Sequence, residues 1–594
     1  MLDLHMLDEQ CTFVPMYIAT IPNRNSPPAV LLRESYREGG KVKKRTLANL
    51  SALAPQHVEV LRRALKGQTL VPAEGAFEIL RSRPHGHVAA VLGTARKLGL
   101  AEILSGRRQR MRDLALAMIV ARVLEPASKL ATARQLGTDT LSSTLGEILD
   151  VGEAEADDLY EAMDWLVKGQ GRIEKKLARR HLKEGDLVLW DVTSSYFEGR
   201  HCPLARLGYS RDGRRDRSQV VFGVLTTADG CPVAVEAFPG NTADPQTLGA
   251  AVERLRNRFQ LDHMVMVGDR GLVTQARIDQ DLRPQGIRWV SSLRAPQIRK
   301  LWQEGPLQLS LFDQQDLAEI TSSDFPGERL IACRNPFLAE ERARKREDLL
   351  QATEGELEKV RAATLRERRP LRGKAQIGLR VGKVLGRYKV GKHFRLEIAE
   401  NQLDFARDAE RIEEEAALDG IYVVRTSVAA ETLSAEEAVR TYKRLSVVER
   451  AFRAHKTSGL QVRPIHHRRE DRVRAHLFLC MLAYYVQWHM EQQWAPLLFA
   501  DHEPAEAEAR RASVVGPAQR SQAAEQKAQR KKTADGLPVH SFRTLLKDLG
   551  TLTLNTLAVG DHISYQQISR PTVLQQRALD LLGVTARIEQ PRSQ

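Results

Sequence analysis

Residues 187–191 read LVLWD, four apolar residues running straight into an aspartate. Three more short apolar runs follow, VVFGVL at 220–225, PVAVEAF at 232–238 and MVMV at 264–267, separated by Gly, Asp and Pro. Runs of this length between turn residues predict buried strands. A helical stretch, QTLGAAVERLRNRF (246–259), lies between the third and fourth, and IRWVSSL (287–293) supplies a further apolar run. The order β-β-β-α-β-α-β predicts a mixed α/β layer fold for residues 184–294.

Working outward, residues 14–50 read as short strands and turns: MYIAT, AVLLRESY, the turn EGGK and VKKRTLANL. They predict a basic, β-hairpin-rich unit over residues 1–80 that serves as an accessory DNA contact. Residues 81–183 turn helical, as in VAAVLGTARKLGL and RDLALAMIVARVL, with Pro126 and Gly137 as breakers. Two readings stand for this region, a DNA-binding or assembly domain and a purely structural bundle, because no recognition-helix pattern is visible.

Residues 295–419 interrupt the strand order. They begin with a charged helical stretch and continue with GKAQIGLRVGKVLGRYKVGKHFRLEI, whose basic and apolar residues alternate as in half-exposed strands. An inserted subdomain, rich in strands and partly helical, is expected. GIYVVRTS (420–427) restores a core strand, and Ser434 with Glu437 has the spacing of a capping box that opens a long helix. The core's second part is thus 420–498. Residues 499–540, rich in Ala, Glu, Gln and Arg without an apolar stripe, read as a flexible linker before a terminal unit at 541–594.

At 594 residues several domains are expected. Lys and Arg number 90 against 75 Asp and Glu, a net charge of +15 and a pI near 9.6. That balance favours a polyanionic partner without proving one. The five cysteines, at 11, 202, 231, 333 and 480, form no CxxC pair, which argues against a zinc module or a disulfide framework and suits a reducing cytoplasm. No run is long enough to span a membrane; Leu477–Trp488 is too short and contains Gln487.

The candidate chemistry rests on carboxylates. Asp191 follows LVLW and Asp269 follows MVMVG, so both are expected at the carboxyl ends of buried strands. Either alone is as well explained by an Asp accepting turn amides. On the helix after Ser434, at about 100° per residue, Tyr442, Leu445, Glu449, Phe452 and Lys456 fall within an arc of about 80°. Glu449 therefore shares a face with Leu445 and Phe452, where a carboxylate needs either a divalent cation or a salt bridge such as Lys456. Three carboxylates so placed suit two Mg²⁺ ions, which take oxygen ligands and orient phosphate oxygens for in-line attack. Arg211, Arg214, Arg215 and Arg217 lie on a loop between strands, expected to be solvated, and His466 and His467 lack partners at metal-ligand spacing.

In the segments DVTSSYFEG, GYSRDGRRDRSQVVFGVLTTADGCPVAVEAFPGNTAD, VGDRGLVT and YKRLSVVERAFRAHKTSGLQVRPIHH, with NRNSPPAVLLRESYREGGKVKKRTLANL near the start, the chain resembles the DDE transposases of bacterial insertion sequences. The resemblance is to the branch with a Y-x-x-R-x-x-x-E-x-x-x-x-x-x-K helix and a strand-rich insert. It implies an RNase H-like catalytic domain in which Asp191, Asp269 and Glu449 are catalytic and hold two ions, Mg²⁺ or Mn²⁺ in its place. It also implies cut-and-paste transposition: cleavage at an element's terminal inverted repeats and strand transfer into target DNA, by a homodimer or higher multimer on double-stranded DNA. The setting implied is bacterial, cytoplasmic and nucleoid-associated, with no membrane partner.

Tyr442 and Lys456 match the motif and inherit a role at DNA phosphates. The motif arginine falls on Leu445, with Arg444 beside it as the alternative DNA contact. Two rival readings are a nuclease of the same fold without strand joining and a catalytically silent DNA-binding descendant.

Overall fold

In the computed structural model, which describes residues 16–24, 26–68, 77–140, 142–456, 459–559 and 563–587, the basic start of the chain forms three antiparallel strands. These are β1 (Met16–Ile21), β2 (Ala29–Glu38) and β3 (Lys41–Asn49), joined in the order β1–β2–β3 and followed by the helix Pro55–Leu65. β3 is exposed along its whole length and carries Lys41, Lys43, Lys44 and Arg45, the charge that keeps an edge strand from pairing with another chain. A second three-stranded sheet joins β4 (Glu78–Pro84) to a hairpin at Thr553–Val559 and Ile563–Ile568. The chain divides into two compact units, residues 1–82 with 555–567, and residues 83–554 with 568–594.

The larger unit is built on one eight-stranded sheet. Its strands are β5 (Leu187–Tyr196), β6 (Gln219–Thr227), β7 (Pro232–Pro239), β8 (Val265–Val267), β9 (Arg288–Ser292), β10 (Leu317–Ile320), β11 (Arg329–Arg334) and, beyond a two-stranded hairpin β12 (Phe394–Ile398) and β13 (Leu403–Arg407), β14 (Ile421–Thr426). Their order is β10–β11–β14–β9–β8–β5–β6–β7, with β5, β8 and β9 parallel and every other pair antiparallel. The expected succession of elements from 184 to 294 is what forms.

Alternation along β5 decides what each face carries. Asp191 pairs with Val224, Val192 with Gly223 and Thr193 with Phe222. Trp190, Val192 and Gly223 thus share one face, where the Trp190 indole N–H donates to Thr247 Oγ1 at 3.3 Å. Asp191, Phe222 and Val224 share the other, and there the helix Leu445–Lys456 packs on β5, Phe452 meeting Phe222 edge-on at 5.8 Å and 85°.

The helices of 86–181 do not stand apart from the sheet. They share its hydrophobic core, arranged around the helix Glu470–Trp494, which packs on β7 and on the helices Gly86–Lys97, Arg110–Leu124 and Ala156–Lys168. Burial on all sides accounts for the apolar run Leu477–Trp488. Among the described residues no helix is long and apolar enough to cross a membrane.

Three expectations need correction. The stretch read as alternating strands is in part the helix Lys374–Tyr388, so the insertion is mainly helical: it pairs with the helix Pro336–Thr364, and β12–β13 is its hairpin. Its stripe is Ile377, Val381, Val384, Leu385 and Tyr388, a helical spacing that forms a separate small core with Leu350 and Leu357. The helix capped by Ser434 ends at Lys443, and a new one, Leu445–Lys456, starts after Arg444. Residues 499–540, expected as a linker, contain the helices Pro504–Ala509 and Gln522–Arg530 and are tied down by polar contacts. Lys527 is buried and donates to the carbonyls of Ala495, Leu498 and Ala500, and Lys443 to those of Val514, Val515 and Gly516.

A Cβ at Gly223 would run into the Trp190 ring, one residue from Asp191. Gly223→Ala is therefore expected to cost about 1–3 kcal/mol in urea unfolding, and Trp190→Phe in the same chain to recover part of it; an unchanged midpoint for Gly223→Ala would show that the ring does not hold this face.

Candidate active site

Asp191 lies midway along β5 rather than at its end, since the strand runs on to Tyr196. Its parallel pairing with β8 stops at Leu189↔Val267, however, so Asp191 stands where the sheet opens between the two strands. Asp269 follows two residues after β8, exposed, with Oδ1 accepting the N–H groups of Gly271 at 2.9 Å and Leu272 at 2.7 Å. Glu449 comes from the helix Leu445–Lys456, on the face of the sheet that carries Asp191.

Burial pushes the Asp191 carboxyl up to about 7. The amide of Val192, donating at 2.8 Å, works against this rise, the charge of Asp269 adds to it, the Arg211 guanidinium opposes it and Glu449 adds to it again. The three carboxylates therefore sit in one another's field. Glu449 itself is exposed and has no hydrogen bond or ion pair among the described residues. This corrects the expectation of a desolvated glutamate: Leu445 and Phe452 do turn inward, Glu449 faces the opening, and the carboxyl that burial perturbs is that of the half-buried Asp191.

The remaining motif residues are distributed around this cluster. The Tyr442 hydroxyl accepts a hydrogen bond from Ser292 Oγ at the end of β9 (2.7 Å), and burial raises its pKa, with Asp269 and Glu449 among the charges it senses. Arg444 is exposed, at the break between the two helices. Lys456 turns toward β5, where its ammonium donates to Ser194 O at 2.5 Å and pairs with Asp212 at 3.0 Å.

Asp212 went unnoticed in the sequence. Its side chain is only 2 % exposed and it accepts from Lys456, from Arg463 at 2.6 Å and from the Tyr196 N–H at 3.2 Å. The loop it belongs to is pinned at Ser194, whose Oγ donates to Tyr209 O and accepts from the Arg211 N–H, both at 3.0 Å, while Arg215 and Arg217 are exposed as expected. Arg211 also pairs with Asp244, while Arg214 pairs with Asp216 at 3.3 Å and is half-exposed. Only the DGRRDR pattern hinted at this, since the partners are far away in sequence. Elsewhere, His181, Cys231 and His489 bring their ligand atoms within 4.8 Å of one another, a grouping that sequence spacing gave no reason to expect.

Residues 184–486, half of the chain, match the family model described as the transposase DDE domain. The chain belongs to the DDE transposase family. Residues 18–74 match the IS1634 family transposase N-terminal domain. Among solved structures, the piggyBac transposase synaptic complex with hairpin DNA is similar at a TM-score of 0.32 and 9% identity, over 78% of this chain and 76% of that one. No curated protein sequence matches the chain.

The transposase carries an energetic cost in its cluster that can be measured. With a folded pKa near 7 against an ordinary aspartate value, Asp191 binds a proton in the native state that the unfolded chain has already lost, so stability falls as pH rises from about 4 to 7. Asp191→Asn removes that cost. In EDTA at pH 8 the variant is expected to be more stable than wild type by on the order of 3 kcal/mol, and at pH 4 the two should unfold alike. A variant that is less stable at both pH values would refute the desolvated carboxylate.

Proposed function

We propose that this transposase cuts DNA at the terminal inverted repeats of an insertion sequence and joins the freed 3′ ends to target DNA, using Asp191, Asp269 and Glu449 to hold two divalent ions. The observation that carries the reading is the convergence of three carboxylates at the opening between β5 and β8, one of them half-buried and pushed up to about 7 by burial and by its like-charged neighbours. Such a donor set fits hard oxygen-seeking cations, Mg²⁺ or Mn²⁺, which would offset the desolvation that the protein leaves uncompensated. When bound, the ions supply charge neutralisation and polarisation at the scissile phosphate.

The chain's own residues supply position. Asp269 is fixed by two backbone amides and Asp191 by its strand, while Glu449 comes from the separate helix that starts after Arg444. The Tyr442 hydroxyl, Arg444 and Lys456 are assigned to DNA phosphates beside the cut, Lys456 from its seat on Asp212. The order β7–β6–β5–β8–β9, antiparallel on one side of β5 and parallel on the other, supports an RNase H-like core. The exposed lysines of β3 suit the accessory DNA contact, and we assign the active form to a homodimer or larger multimer at two DNA ends.

The test is cleavage and strand transfer on a duplex bearing the element's terminal repeat, in Mg²⁺ and in Ca²⁺. Asp191→Asn, Asp269→Asn and Glu449→Gln should each lose about a thousandfold or more of both activities while still binding the duplex. Wild-type cleavage without joining would favour a nuclease, and a variant that stays active would remove its residue from the site.

A further inference from the structure

The helix Lys129–Leu136 starts beside the segment that follows the Leu445–Lys456 helix, and between them lies a cavity of about 610 Å³. Its wall carries Arg122, Lys129, Arg468, Arg469, Arg472 and Tyr160. Lys129 is only 4 % exposed, and its ammonium has no hydrogen bond and no carboxylate partner among the described residues. Arg122, also buried, spends its guanidinium on two carbonyls, Ala127 O at 3.2 Å and Leu460 O at 3.5 Å, which carry no countercharge. Arg468 is exposed to the cavity without an ion pair among the described residues.

The carboxylates paired with this wall serve its edges. Asp164 takes Arg472 at 3.4 Å and Arg469 at 3.6 Å, and Asp212 takes Arg463. Two imidazoles in the wall stay neutral: burial, helped by Lys129 and Arg122, holds His467 down to about 3 and His476 well below the usual range. The same burial, with Arg122 beside it, brings Lys129 down to about 7. An unpaired buried ammonium next to a buried guanidinium is costly unless an anion enters to pair with both.

The cavity is also linked to the candidate active site. Arg463, on its rim, donates to the Lys456 carbonyl at 3.2 Å and pairs with Asp212, which holds the Lys456 ammonium. We propose that this cavity is a phosphate-binding site that takes a backbone phosphodiester of the DNA strand whose end is held at Asp191, Asp269 and Glu449. The DNA part rests on the function proposed above; the affinity for a phosphate group rests on the cavity alone. Lys129, Arg122 and Arg468 donate to the non-bridging oxygens, and Tyr160 closes one side, with the Arg472 guanidinium 4.5 Å from its ring centre.

The test uses the full chain, with Lys129→Met, which keeps the volume and removes the charge, and Arg468→Gln, which alters an exposed side chain only. In chloride-matched buffer, inorganic phosphate should raise the Tm of wild type and not that of Lys129→Met, which without phosphate should melt no lower than wild type. On duplex DNA each variant should bind about tenfold more weakly, and the slope of log K against log salt should fall by about 0.9. Equal stabilisation of wild type and Lys129→Met by phosphate would overturn the site. Phosphate protection of wild type alone, with unchanged duplex affinity and slope in both variants, would leave a free-anion site and overturn its DNA role. A wild type that binds the duplex with these contacts but never cuts it would overturn the catalytic reading and leave the cavity's assignment standing. Should Lys129→Met not fold, the salt slope of Arg468→Gln decides alone.

Discussion

A half-buried carboxylate, raised by desolvation beside two others, is the constraint around which this transposase is organised. Asp191 has no free choice of environment: β5 carries it into the middle of an eight-stranded sheet, and the helix Leu445–Lys456 covers the face on which it lies. Protein alone offers little relief, one amide and a guanidinium already committed to Asp244. The cluster is therefore best satisfied by something brought from outside, which is the physical signature of a site kept for binding rather than for stability.

The surrounding fold can be understood as support for that arrangement. Trp190, on the opposite face of β5, fills the space left by Gly223 and fixes the strand from behind. The helix Glu470–Trp494, buried on every side, joins the sheet to the N-terminal helices in one core, so the segment between Lys456 and Glu470 is held at both ends. Asp212 adds a polar clamp in front, gathering Lys456, Arg463 and the Tyr196 amide on one side chain. Strand, helix and loop are each held by different interactions, apolar behind the sheet and ionic at its opening.

Much of this was legible in the sequence because buried strands leave short runs such as LVLW and MVMV, and their order is preserved in the chain. Those runs put Asp191 and Asp269 on or just after neighbouring strands, although β5 runs on past Asp191, and the Ser434–Glu437 pair does cap its helix, although that helix ends at Lys443 and Glu449 lies on the next one. Periodicity failed where two periods fit the same residues: Gly378, Gly382 and Gly386 weaken the helical signal over 374–388 and let the stripe through Ile377 and Val381 pass for alternation. It also failed where polar groups do the holding, as with Lys527 among three carbonyls and Asp212 among residues far apart in sequence. A helical wheel put Glu449 on one face with Leu445 and Phe452, yet those two turn inward and Glu449 is exposed, because where a face meets core or an opening is decided by tertiary packing.

The most direct measurement is anomalous diffraction from crystals of the transposase soaked in Mn²⁺. Two peaks bounded by the carboxylates of Asp191, Asp269 and Glu449 are predicted, both lost in Asp191→Asn. Manganese found only elsewhere, for instance at His181, Cys231 and His489, with the three carboxylates bare, would contradict the account.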